Sequence, residues 1–339
     1  MTEKDFWRKS SIAVLGGGSW GTVLAHLASK NCDDVRLWVR EEERARSMNA
    51  TRSNPKYVSG LALSGNIRAL SEPARVFEGG VQAVVWCLPS KVCREEAKGL
   101  ARLFHGDEVI LHATKGVEEG TLKRVSEILR EELPSPRVGV ISGPNLAEEI
   151  ARGEPAATVV ASQFSEVVGA GQCILSTERF RVYGATDVIG VEWAGTLKNV
   201  LAIAAGALDA LKLGWNTRAM LISRGLAEMV RFGVAMGGEQ ATFLGLAGVG
   251  DLLATCSSPL SRNYRVGYGL GQGKALDQIL EELGSTAEGV KTSQIVWDFA
   301  KTHNIYMPIT EGVASLIRGT ATVPNVLHQL MTKPTMTET

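Results

Sequence analysis

The feature that most constrains the fold is a glycine run placed where a strand turns into a helix. Ser11 to Leu15 is a short apolar strand, and it leads directly into Gly16-Gly17-Gly18-Ser19-Trp20-Gly21. A helical pattern follows from about Ser19 to Lys30. In this G-x-G-x-x-G arrangement Gly16 permits the tight turn and Gly18 places no side chain in the way of a pyrophosphate. Gly21 lets the helix lie close on the strand. The helix N-terminus then presents free N–H groups and partial positive charge to phosphate. Many loops match such a pattern by chance; the position between strand and helix is what makes it a dinucleotide fingerprint.

The first half continues as alternating strands and helices. Val35–Val39, Gln82–Leu88, Glu108–Ala113 and Arg137–Ile141 read as buried strands, with Ala157–Ala161 and Phe180–Tyr183 as final ones. Glu95–Phe104 and Leu122–Leu133 read as helices between them. This alternation predicts a doubly wound, mainly parallel α/β sheet of the Rossmann type. After about Gly190 the strand pattern stops, and Val191–Lys212, Thr217–Met236, Ala275–Leu283, Val290–His303 and Thr310–Arg318 read as helices. Gly245–Gly250 reads as a glycine-rich connection among them. The expected organisation is a dinucleotide-binding domain over 1–190 and an all-α substrate and catalytic domain over 191–335, with no flexible linker or internal repeat. The most apolar run, Val200 to Leu211, is interrupted by Asp209 and falls short of the ~20 residues a membrane span needs. It reads as a buried core helix.

Composition narrows the function classes. Lys and Arg number 36, Asp and Glu 36, and no basic tail or block is present, so global charge does not indicate a nucleic-acid binder. Any bound anion must be gripped locally. The five cysteines include no close C-x-x-C pair, and none of the five histidines lies at i,i+4 from another, which argues against a disulfide framework and a zinc site. Free thiols and the absence of an apolar leader in Met1–Ser11 point to the cytoplasm.

Several side chains stand where chemistry is expected. At the end of the second strand an Asp or Glu normally holds both adenine-ribose hydroxyls of NAD; here Arg40 follows Val39, and Glu41 comes next. An arginine there can pair with the 2′-phosphate of NADP or simply be a solvated strand-end residue. His112-Ala113-Thr114-Lys115-Gly116 and Ser142-Gly143-Pro144-Asn145-Leu146-Ala147 both lie just past the carboxyl ends of strands, the edge at which open α/β sheets bind ligands. Glu192-Trp193-Ala194-Gly195-Thr196-Leu197-Lys198-Asn199 sets Lys198 in an otherwise apolar, small-residue helix. Gly248-Val249-Gly250-Asp251-Leu252, with Ser261-Arg262-Asn263, adds a carboxylate and a guanidinium fork suited to phosphate.

A lysine desolvated as Lys198 would be has its pKa drawn toward working pH and can pass a proton to or from an oxygen. Lys115, as a second cation, would lower it further or polarise a carbonyl, and Asp251 could orient one of the ammonium groups. Taken alone, Lys198 could equally snorkel to water, Asp251 could be a helix N-cap, Arg262 a surface residue and Glu288 a helix-start carboxylate. His112 reads as a buried strand residue with no catalytic role, and Cys87 and Cys93 as packing.

Together these segments resemble the bacterial type of NAD(P)-dependent glycerol-3-phosphate dehydrogenase. GGGSWGT, ATKG, SGPNLA, LKNV, GVGD, SRN and AEG (Ala287-Glu288-Gly289) occur in that family's order, between Ile12 and about Arg318. The resemblance implies interconversion of sn-glycerol 3-phosphate and dihydroxyacetone phosphate, supplying glycerol 3-phosphate for membrane phospholipids. It implies that Ser19, Trp20, Arg40 and Lys115 contact the dinucleotide together with Gly16, Gly18 and Gly21, with Ala147 and Glu288 nearby. It gives Lys198 the role of proton acceptor. Lys115, Gly143, Asn145, Lys198, Asp251, Ser261, Arg262 and Asn263 are the implied substrate contacts, Arg262 touching both ligands. Asn145 stands where many relatives carry Thr or Ser. The expected cofactor is NAD or NADP, with Arg40 favouring NADP; no metal or flavin is implied, and a homodimer through the helical domain is expected. Two other readings stay open: a related dehydrogenase acting on another small acid or phosphate ester, and a redox-sensing protein that holds NAD(P)H without turnover. The latter would not need Lys198, Lys115 and Asp251 together.

Overall fold

The structure is a computed structural model that describes residues 2–284 and 287–332. The last residues of the expected helical domain, 333–335, lie outside the described residues. The chain divides into two compact units, Met1–Glu192 and Trp193–Thr339.

The first unit is built on an eight-stranded sheet. Its strands are β1 (Ser11–Leu15), β2 (Asp34–Trp38), β3 (Ile67–Leu70), β4 (Ala83–Trp86), β5 (Val109–His112), β6 (Val138–Ser142), β7 (Ala156–Ala161) and β8 (Phe180–Ala185). They are ordered β3-β2-β1-β4-β5-β6-β7-β8. Every neighbouring pair is parallel except β6 and β7, which run antiparallel. The strand order reverses direction between β1 and β4, and the glycine turn leaves β1 at that switch point, where α/β sheets bind ligands. Successive strand residues point to opposite faces, so one short strand supplies two cores. Ile12, Val14, Val35, Leu37 and Leu111 pack with Val23, Leu24 and Ile174 from the helices Ser19–Ala28 and Ser165–Leu175. Their neighbours Ala13, Leu15, Val84, Trp86 and Ile110 pack on the other face with Leu100, Ile128 and Leu129.

The differences from the sequence reading have local causes. β3 has four residues, sits at the sheet edge and buries alternate positions only, so it carries little apolar pattern. The segment between β6 and β7 holds one helix of five residues, Ala147–Ala151, and the chain returns antiparallel. The N-terminal segment is a capped helix, Glu3–Lys9, with Trp7 in the core.

The helix Val188–Ala210, which begins at the end of the first unit and continues into the second, runs 23 residues, longer than the apolar run read from the sequence and long and apolar enough to cross a membrane. Its most apolar stretch is 94% buried within the fold, as a core helix would be. It crosses the helix Arg262–Gly271 at backbone contact: a Cβ on Gly206 would lie 1.9 Å from the Tyr264 carbonyl oxygen, and one on Gly267 would lie 1.8 Å from that of Ile203. The expected glycine connection is instead a π-helical turn, Leu246–Gly250, that continues into the helix Asp251–Ser257. Here the glycines serve close packing, since a Cβ on Gly248 would stand 2.0 Å from the Phe243 carbonyl oxygen.

Candidate active site

The turn after β1 has the geometry its residues demand. Gly16 has φ of +115°, and a Cβ there would meet the Cys87 carbonyl oxygen at 2.9 Å. A Cβ on Gly21 would stand 1.9 Å from the Gly16 carbonyl oxygen, so the helix Ser19–Ala28 sits directly against the turn. A Cβ on Gly18 would meet nothing within 4 Å. Gly18 is also the N-cap of that helix, and no side chain caps its N–H groups. Open space beside uncapped helical N–H groups is a cradle that fits a pyrophosphate. The turn is held from behind by Asn54, a buried residue the sequence reading did not single out. Its Nδ2 donates to the Gly17 carbonyl at 3.1 Å and to Thr22 Oγ1 at 2.8 Å. Ser19 Oγ donates to the Tyr57 carbonyl at 2.9 Å, and Trp20 packs beside Phe180. Arg40 follows β2 with its side chain 84% exposed, 3.9 Å from Glu41.

At the ends of β5 and β6, Lys115 and Gly143 meet: Lys115 Nζ lies 3.4 Å from the Gly143 carbonyl oxygen. Gly143 itself fits tightly against β7, where a Cβ would lie 3.0 Å from Thr158 Cα. Asn145 is pinned to the same strand. Its Nδ2 donates to the Ala157 carbonyl at 3.1 Å and its Oδ1 accepts from Thr158 Oγ1 at 2.8 Å, leaving one amide proton for a ligand. Ala147 opens the short helix that follows.

In the second unit Lys198 is buried and its Nζ donates to Asp251 Oδ1 and, at 2.8 Å, to Thr255 Oγ1. Asp251 is 1% exposed and begins its helix in helical conformation. Its carboxylate turns to the lysine, and no side-chain cap bond forms at that helix start. Thr255 lies one turn further on, at i,i+4 from Asp251, so both face Lys198. The sequence reading assigned no helix to Asp251–Ser257, so this spacing carried no signal. Ser261 caps the helix Arg262–Gly271 by accepting from Tyr264 N at 3.3 Å. Asn263 is buried and its Oδ1 accepts from Gly289 N at 3.0 Å. Gly289 in turn packs on the lysine's neighbour: a Cβ there would lie 2.6 Å from the Asn199 carbonyl oxygen. The SRN segment, the Glu288–Gly289 helix start and the Lys198 helix therefore adjoin. Arg262 is exposed at the first helical position, and among the described residues its guanidinium has no ion pair or hydrogen bond. An apolar cavity of about 450 Å³ in this unit, lined by Leu208, Glu228, Ile309 and Val326 among others, shares no residue with this cluster.

A mainly parallel sheet with an open glycine turn, and a helical unit holding a buried lysine–aspartate pair, define a dinucleotide-linked oxidoreductase. More narrowly, the chain belongs to the NAD-dependent glycerol-3-phosphate dehydrogenase family: the N-terminal model of that family matches residues 11–168 and the C-terminal model residues 187–328. It is 44% identical over 98% of its length, and 95% of the relative's, to a glycerol-3-phosphate dehydrogenase (NAD(P)+) of Pseudomonas paraeruginosa. A protein of the same name from Azotobacter vinelandii is 43% identical over 96% of this chain and 95% of its own. The crystal structure of glycerol-3-phosphate dehydrogenase from Coxiella burnetii superposes with a TM-score of 0.90 at 37% identity, covering 96% of this chain and 99% of that one.

Proposed function

We propose that the protein interconverts sn-glycerol 3-phosphate and dihydroxyacetone phosphate with NAD or NADP. The observation that carries this reading is the buried Lys198–Asp251–Thr255 cluster, in a family member whose first unit holds an open glycine turn. Gly16, Gly18 and Gly21 would hold the pyrophosphate, with Ser19, Trp20, Lys115, Ala147, Arg262 and Glu288 as further cofactor contacts. The bound nicotinamide supplies or takes the hydride. On this assignment residues 1–190 bind the dinucleotide and 191–335 provide catalysis.

In the reductive direction Lys198 Nζ gives a proton to the oxygen on the substrate's second carbon; in the oxidative direction the neutral amine takes it back. Asp251 Oδ1 and Thr255 Oγ1 hold the ammonium in place by accepting hydrogen bonds from it. Lys115, Gly143 and Asn145 are the substrate contacts of the first unit. Ser261, Arg262 and Asn263 are those of the second, with the Arg262 fork on the phosphate. The exposed side chain of Arg40 after β2 supports its pairing with a 2′-phosphate, and with it NADP as the preferred cofactor. We assign the enzyme to the cytoplasm as a homodimer supplying glycerol 3-phosphate for phospholipid synthesis.

The deciding experiment follows NAD(P)H absorbance with dihydroxyacetone phosphate and with unphosphorylated dihydroxyacetone at the same concentration. Consumption is expected with the phosphate ester alone. Equal rates with both would end the phosphate-pocket reading, and cofactor binding without consumption would favour a redox-sensing role.

A further inference from the structure

Glu192 is buried at the end of the first unit, and four groups converge on its carboxylate. Oε1 accepts from Ser126 N at 2.9 Å and lies 3.1 Å from His112 Nε2. Oε2 accepts from Ser126 Oγ and from Arg124 Nη1, both at 2.6 Å. Burial alone would raise this carboxyl, but His112, Arg124 and Ser126 outweigh it and hold it below the usual carboxylate range. A buried ion pair is a poor way to gain stability, because apolar residues of similar volume generally do as well or better. What it supplies is direction.

The directions here converge on one segment. His112 ends β5, three residues before Lys115. Arg124 closes the far end of the loop that Lys115 opens, since Val117 and Arg124 form an antiparallel bridge and Glu118 N donates to the Lys123 carbonyl at 2.9 Å. Ser126, in the first turn of the helix Val125–Glu132, is fixed by the same carboxylate. Glu192 therefore holds the far end of the Lys115 segment through hydrogen bonds from Arg124 and Ser126, and lies against His112 at the near end.

We infer that Glu192, acting through His112 and Arg124, is the positioning residue for Lys115, setting where its ammonium meets the substrate. This rests on the reading of Lys115 as a substrate contact. Misplacing a positioning cation by about an ångström costs rate and substrate affinity while the fold survives.

A double-mutant cycle on the intact chain tests it. Lys115→Ala, Glu192→Gln and the double variant are compared by kcat/KM for dihydroxyacetone phosphate, at a temperature where circular dichroism shows each one folded. Arg124→Gln enters the same network from an independent residue, should Glu192→Gln fail to fold. Glu192→Gln or Arg124→Gln should lower kcat/KM about ten-fold or more, with Arg124→Lys recovering part, and the fall should largely vanish in the Lys115→Ala background. Equal falls in both backgrounds would show that the network acts elsewhere or only on stability, overturning the inference. Unchanged kcat/KM in both network variants would overturn it as well. If Lys115→Ala itself keeps wild-type kcat/KM, the reading of Lys115 has failed, and the positioning role falls with it.

Discussion

Lys198 shows what one residue owes to its surroundings. Its side chain is 9% exposed, a cost that its contacts with Asp251 and Thr255 offset. Lys198→Ala should lower kcat by ~10²–10⁴-fold, because on the proposed mechanism proton transfer loses its donor. Cofactor affinity, read by NADPH fluorescence, should barely change, since no group of the glycine turn is altered. Near-normal turnover would move the acid–base role to another group. Arg40 offers a second check at this scale: Arg40→Asp should weaken NADPH much more than NADH, and comparable losses for both cofactors would remove it from the 2′-phosphate site. Lys198 and Asp251 could be singled out from their motifs, because a lysine among Ala, Gly and Leu and an aspartate after glycines stand out as types. Thr255, Asn54 and the partners of Glu192 could not, since each acts through a neighbour that only the fold brings near.

Two glycines of one turn separate architecture from ligand binding at the scale of elements. Gly21→Ala forces a Cβ to 1.9 Å from the Gly16 carbonyl oxygen, so the helix must move off the strand and both stability and cofactor binding should suffer. Gly18→Ala meets no protein atom within 4 Å, and its φ of −80° suits alanine. Its melting temperature should stay near wild type while cofactor affinity falls; unchanged affinity would show that no phosphate passes over Gly18. A second element-level effect is Glu228, whose carboxylate accepts from the N–H groups of Ile309 (2.5 Å) and Thr310 (3.1 Å) at the start of the helix Pro308–Ile317. Burial pushes this carboxyl up from 4.5 to about 7 against the pull of those hydrogen bonds. Between these values the folded chain holds a proton the unfolded chain lacks. Its contribution therefore falls as pH rises through that window, by up to about 1.4 kcal/mol per pH unit. Thermal unfolding from pH 5 to 7 should show this slope, and Glu228→Gln should flatten it. Elements with a full apolar pattern, such as β1 and the long helix, were legible in the sequence. The edge strand β3 and the π-helical turn were not, because four residues are the shortest run in which alternation can be read and a glycine run carries no helical or strand period of its own.

For the whole molecule the deciding quantity is charge. With 36 basic and 36 acidic residues the chain has no net field to draw in a phosphate dianion, so capture depends on a local group. The glycine turn and its helix N-terminus are committed to the cofactor pyrophosphate on the reading above, so the substrate phosphate needs a second anion site. Arg262 is suited to it, being exposed, unpaired among the described residues, and fixed at a helix start by the Ser261 cap. A guanidinium can give a phosphate two parallel charge-assisted bonds, and truncating it removes both. Arg262→Ala should therefore raise the KM for dihydroxyacetone phosphate steeply, and Arg262→Lys should restore only part, keeping the charge and losing the fork. Because the phosphate is remote from the reacting carbon, kcat should fall too if that binding energy orients the substrate. Raising the salt concentration should weaken substrate capture in the wild type more than in Arg262→Ala, since only the former keeps an exposed charge to screen. Steady-state kinetics at two ionic strengths measure all of this, and an Arg262→Ala enzyme with wild-type KM and kcat would place the phosphate elsewhere.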